Sequence, residues 1–210
     1  MSQTGEVREI RNRSRTQTIA GTALFAALAI ILNLLHIQVP APYLTYLIYE
    51  IWEIPIVICL MIFGLYASLT ASLINAIVLI LVNPGALASG PIYNLIAVAV
   101  TLIAVVLGHR IGSGVKLGLS IEVALSTGLA MLVRTAVMSV VNYALLPYPP
   151  PLGFSTPDSA VILVLPLIAF FNATLALYTV PLGYAGVRAI SNRVHFKMAY
   201  PISNYNSIKK

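Results

Sequence analysis

From Ile51 to Val82 the chain runs for 32 residues with one carboxylate, Glu53, and no cation. As a single helix that run would rise about 48 Å at ~1.5 Å per residue, against a bilayer core of about 30 Å. It is therefore one overlong helix or two short ones, and Phe63-Gly64 offers a break. Charge parity chooses between them. Cations cluster in a head (Arg8, Arg11, Arg13, Arg15), after the following span (Arg110, Lys116) and after the last one (Arg188, Arg193, Lys197). Cytoplasmic segments collect Lys and Arg, so an even number of spans must separate successive clusters. Counting the run as one span leaves an odd number before Arg110; splitting it makes the number even.

The chain is thus read as an all-α membrane protein with six transmembrane helices and both termini cytoplasmic. The spans fall at about 19–35, 50–63, 65–82, 91–108, 118–146 and 160–186, with basic tails at 1–18 and 187–210 around the membrane domain 19–186. Eleven of the twelve Lys and Arg residues then lie inside, and Arg134 is the exception. Only 9% of residues are charged, where a soluble domain carries about 25%. The net charge of +6 does not point to nucleic acid, because the cations sit between and beyond the apolar runs. Cys59 is the single cysteine, which excludes disulfide frameworks and cysteine metal sites. The first apolar run follows an arginine-rich head and lacks a signal-peptide cleavage site, so the expected location is the plasma membrane, multi-pass.

Within the spans, polar side chains are few and costly in hydrocarbon, so each should face protein or a polar cavity. Arg134 and Asn142 stand eight residues apart, roughly 12 Å along a helix and nearly on one face. Arg134 is expected to pair with a carboxylate or with carbonyls. Glu53, before Pro55, suits a helix start, and is otherwise a ligand or a partner for Arg134. Glu122, near a cytoplasmic span end, is expected to be wetted. Asn94, Asn142 and Asn172 all fall in the outer half of three different spans. Singly, each is as readily a bond to a neighbouring helix. Jointly they suit a polar, uncharged guest entering from outside, because an amide both donates and accepts without bringing a charge into the membrane.

Two further stretches matter. Residues 36–50 are rich in Pro and Tyr, with Tyr46 among them, and read as an outer loop able to serve as a lid. In the first span Ala20, Ala23 and Ala27, with Ala26 beside them, make a smooth ridge. That ridge either packs within the chain or docks a separate subunit. Chemistry has little support. His36, His109 and His195 have no metal-ligand spacing. No glycine-rich phosphate loop with a following Lys is present, and no series of intramembrane acids. The chain is therefore read as neither an enzyme nor an ATPase, with no metal and no cofactor.

These residues also carry a resemblance. The chain resembles the membrane-embedded substrate-binding (S) components of energy-coupling factor (ECF) vitamin transporters, and the riboflavin-binding group most of all. The matching pieces are Ala23-Leu-Phe-Ala-Ala27, Glu53-Ile54-Pro55, Gly64 with Asn75, and Gly90-Pro91-Ile92-Tyr93-Asn94. Arg134-Thr135, Asn142-Tyr143, Pro147-Tyr148 and Phe171-Asn172 complete the set. The resemblance implies a six-helix subunit that captures a vitamin near its outer face, under the loop between spans one and two. It implies ring-contacting amides at Asn142 and Asn172, with Asn94, Glu53, Tyr143 and Tyr46 as further substrate-binding candidates. It implies that Ala23, Ala26 and Ala27 meet a transmembrane coupling subunit driven by two ATPase subunits, which use the ATP. One position departs: the riboflavin group commonly has a Lys three residues after the span-six Asn, and here Leu175 stands there. The leading expectation is a riboflavin carrier. Its alternatives are an S component for another vitamin or precursor, a membrane-embedded lipid or isoprenoid enzyme, and a purely structural subunit.

Overall fold

The computed structural model describes residues 15–35, 37–82, 89–193 and 197–202. Expectations about the basic head before Arg15, His36, His195 and the last eight residues fall outside that set. Among the described residues six helices form: α1 (Arg15–Leu34), α2 (Glu53–Phe63), α3 (Leu65–Val82), α4 (Ser89–Gly114), α5 (Leu119–Leu145) and α6 (Asp158–Ser191). Between α1 and α2 lies an antiparallel hairpin, β1 (Gln38–Ala41) and β2 (Leu44–Glu50), where the sequence suggested only a loop.

The long apolar run breaks at Gly64, as expected. Gly64 adopts φ 98°, a backbone state that side-chain-bearing residues avoid, and its N–H closes α2 on the Leu60 carbonyl. The two halves differ in role. Five helices are long and apolar enough to cross a membrane, and α2, with 11 residues, is not among them. It rises only about 16 Å. Its sequence, Glu-Ile-Pro-Ile-Val-Ile-Cys-Leu-Met-Ile-Phe, is apolar all round, the signature of a helix enclosed on every side. Ile56, Cys59, Leu60 and Met61 are completely buried at the centre of the main core.

Strand β2 leads into α2 and is tied to α6. Tyr49 bonds Thr174 (2.8 Å), and Tyr178 donates to the Glu50 carbonyl (2.6 Å). Further on, Val57 and Ile58 lie against Gly183 and Gly186, where a Cβ on either glycine would overlap them. Contacts thus advance in step along β2–α2 and α6, so the two segments run side by side in the same direction. Glycines on α6 allow the close approach.

These contacts define two ends. At one end lie the hairpin, the start of α4, the end of α5 and the 148–157 connector. The other end carries Arg110, Lys116, Arg188 and Arg193, all exposed, and the Gly64 break. Here residues 197–202 return to the bundle, a contact not expected of a basic tail. Ala199 and Tyr200 donate their backbone N–H groups to the Ile62 and Met61 carbonyls (3.1 and 3.0 Å). Those are among the carbonyls that a helix end leaves unpaired. Met198 and Ile202 bury beside them.

Candidate ligand-binding site

A small hollow, partly open to the outside, lies at the hairpin end between α4, α5 and α6. Helical spacing builds its walls. Arg134, Met138 and Asn142 recur every four residues on α5, and Ile168 and Asn172 do so on α6. From α4 come Tyr93, Asn94 and Ala97; β2 supplies Tyr46 and Leu47. Phe154 comes from the connector, and its ring lies 6.2 Å from that of Tyr46 and 6.4 Å from that of Tyr93. The connector is pinned in place by Tyr93, whose hydroxyl donates to the Leu152 carbonyl (2.8 Å). It also folds back so tightly that a Cβ at Gly153 would overlap the carbonyl oxygens of Leu145 and Tyr148.

At the floor sits Arg134, 1% exposed. Its Nη1 and Nη2 donate to the two oxygens of Glu53 at 2.6 and 2.8 Å, a two-pronged ion pair between α5 and the first residue of α2. Nη1 also donates to Thr101 Oγ1 (3.3 Å), and Nε donates to Asn172 Oδ1 (3.1 Å). Four of the guanidinium's five N–H donors are thereby committed. The pair's charge is cancelled where it stands, so the hollow has a polar floor without a net charge.

The three amides keep different amounts of bonding capacity. Asn172 accepts from Arg134 and donates through Nδ2 to the Ile168 carbonyl (2.9 Å). Asn142 donates Nδ2 to the Met138 carbonyl (2.7 Å), and among the described residues its Oδ1 has no partner. Asn94, half-buried, makes no side-chain bond among the described residues. Each amide lines the shared space and keeps at least one donor or acceptor unused among the described residues. Partial burial pushes the Tyr46 hydroxyl above its usual value of 10.0.

Of the residues expected at a site, Asn94, Asn142, Asn172 and Tyr46 gather around the hollow. Glu53 does not line it; both its oxygens accept from Arg134 behind the wall. Tyr143 does not line it either. Next to Asn142 in sequence but turned by about 100° on the helix, it is 59% exposed on the outside of the bundle. Sequence reasoning missed Thr101, Met138 and Phe154. The four-residue step from Arg134 to Asn142 passes through Met138 and was the available signal. Leu175 packs in a small cluster with Ala41 and Phe171, beneath Tyr43, Tyr49 and Tyr178. On α1, Ala23 and Ala27 are exposed while Ala26 is buried against the core, so the alanine ridge has two faces rather than one.

Glu122 corrects a further expectation. It is not wetted but fully buried, and it bonds His109 Nδ1 at 2.7 Å. Helix α4 continues past the expected span end at 108 to Gly114, and His109 lies inside it. Asn75, on α3, is also taken up internally: its Oδ1 accepts from Asn33 of α1 (2.9 Å).

No family model and no curated protein sequence matches the chain. Among solved structures, it is similar to one described as the S component of a bacterial ECF transporter. The TM-score is 0.69 at 21% identity, over 85% of this chain and 98% of that one. With five helices able to span a bilayer and the remaining helix enclosed among them, the chain is a multi-pass membrane protein with the fold of an S component.

Proposed function

We propose that the chain is the substrate-binding subunit of an ECF-type transporter, and that its hollow captures riboflavin or a related flavin from the face opposite the basic end. The observation that carries this reading is the meeting of three carboxamides from three helices with four aromatic rings, around a floor whose only ion pair is self-contained. Aromatic walls reward a large flat guest. The spare amide groups fix its orientation through carbonyl and N–H edges, which a flavin ring has. A lining whose one charge, on Arg134, is already cancelled by Glu53 favours a neutral guest over a phosphorylated one, since a buried phosphate would need a free counter-charge. Leu175, buried beneath the hairpin and outside the lining of the hollow, leaves room for another flat, polar vitamin or precursor as the alternative guest.

The partners follow from the same reading. The chain has no phosphate-binding loop, so uptake requires ATPase subunits acting through a transmembrane coupling subunit. The exposed side of α1, with Ala20, Ala23 and Ala27, offers that subunit a close-contact face.

Trp52 provides the test. It is the single tryptophan, 2% exposed, and its Nε1 donates to Glu50 at the base of the hairpin (2.9 Å). Riboflavin added to the purified protein should quench its fluorescence saturably, and riboflavin 5′-phosphate should do so far less. Protein that leaves the column colourless and shows no saturable response to riboflavin would overturn the flavin assignment.

A further inference from the structure

Asn172 is distinguished from the other two amides by what holds it. An asparagine amide can sit in either of two orientations related by a flip, and most surroundings tolerate both. Here the flipped form would set an NH2 group against the guanidinium N–H and an oxygen against the Ile168 carbonyl. Both contacts would become repulsive. The orientation is therefore imposed, and half of it is imposed by a side chain that is itself immobilised. Glu53 grips the two Nη atoms of Arg134, and Thr101 accepts from Nη1 while donating its own hydroxyl to the Ala97 carbonyl (2.7 Å).

We propose that Arg134 is a positioning residue for ligand binding: locked by Glu53 and Thr101, its Nε–H fixes the Asn172 amide so that a spare N–H meets an acceptor atom of the guest. This rests on the hollow being the flavin site. It assigns Arg134 no bond to the ligand and explains why a buried cation stands at the floor of a site for a neutral molecule. Glu53 then acts at one further remove, by holding the arginine.

The test uses the intact chain in detergent, with Arg134→Lys, which keeps a cation for Glu53 but removes Nε–H. Riboflavin affinity is read from Trp52 fluorescence, alone and in the Asn172→Ala background. Arg134→Lys is expected to weaken binding at least tenfold in the wild-type background and by less than twofold once Asn172 is already alanine, because its effect passes through that amide. Equal losses in both backgrounds, or no loss in the first, would overturn the proposal. A core truncation, Leu102→Ala, shows what lost stability alone does to affinity; a matching loss there also counts against Arg134. If Arg134→Lys does not fold, Thr101→Val replaces it in the same cycle, with an expected two- to threefold loss confined to the Asn172 background. A flavin assignment that fails is told apart by 15N-asparagine NMR without ligand. The Asn172 side-chain NH2 signals, identified by their loss in Asn172→Asp, should shift or broaden in Arg134→Lys. Signals that stay put would sink the positioning role whatever the ligand proves to be.

Discussion

The two ends of the bundle bury the same kinds of group and treat them differently. At the hairpin end a carboxylate and an arginine neutralise one another, and around them three amides keep unused donors and acceptors facing a hollow. At the basic end most polar groups are turned on each other, and the one Glu122 oxygen left without a partner, Oε2, is enclosed rather than facing a hollow. Glu122 bonds His109, Ser126 bonds Tyr184 (3.1 Å), and the ring of Tyr200 covers His109 at 5.4 Å. The chain's own C-terminal segment caps the carbonyls of α2 there. A buried polar residue is thus a poor marker of a binding site. What separates the two ends is spare bonding capacity directed into space. Substitutions that open one end or disarm the other should have opposite signatures in stability and in binding.

The largest expected effect breaks the ion pair. Arg134→Met leaves Glu53 buried at 4% exposure with no counter-charge, a defect that costs about 3–5 kcal/mol. Reversible unfolding in mixed micelles should register it as a large loss of stability; a loss below about 1 kcal/mol would mean that water already reaches the pair. The same experiment on Glu122→Gln should give a smaller loss, because an amide can keep one bond to His109, and riboflavin affinity should not change. A fall in affinity with Glu122→Gln would erase the proposed contrast between the ends.

Next come the amides. Asn142→Ala and Asn172→Ala should each weaken riboflavin binding by roughly 1–3 kcal/mol, since each forfeits bonds to the guest. Asn142→Ala loses only one bond to its own helix besides, whereas Asn172→Ala also costs stability by leaving the buried Arg134 Nε–H without its acceptor. Wild-type affinity in both would remove the amides from the site. Gly153→Ala acts on the lid side. Its new Cβ collides with backbone oxygens of Leu145 and Tyr148, so the connector must move and carry Phe154 away from Tyr46 and Tyr93. A loss of affinity of about 1 kcal/mol is expected, the scale of one aromatic contact; unchanged affinity would detach Phe154 from the site.

Much of this fold could be read from the residues because the membrane restricts the options. Run length and the placement of cations located the break at Gly64 and gave the order of the helices. Three amides at compatible depth pointed to one hollow, since helical rise converts sequence position into depth. Other features had no local signal. The Arg134–Glu53 pair joins residues 81 positions apart, so sequence could name each as a candidate for the other without choosing. Glu122 seemed wet because it stands near a helix start, yet it faces α4, which extends past the expected span end. The return of residues 197–202 rests on backbone N–H groups that any sequence but proline supplies. Tyr143 shows the limit from the other side: adjacency in a motif says nothing about which face of a helix a residue occupies.

That limit supports the smallest and sharpest comparison, between two tyrosines. Tyr46 lines the hollow from β2, at 48% exposure, and Tyr143 stands at 59% on the outer surface of α5. By exposure alone they are nearly alike; by direction they are not. Tyr46→Ala removes a ring from the wall and should weaken riboflavin binding severalfold, in line with ~0.5–1.5 kcal/mol for a partly buried aromatic contact. Tyr143→Ala should leave affinity within about twofold, because a surface position outside the contact network shifts energies by only about 0.5 kcal/mol. Should Tyr143 prove the more damaging of the two, the guest would have to bind against the outside of α5, and the hollow between α4, α5 and α6 would not be its seat.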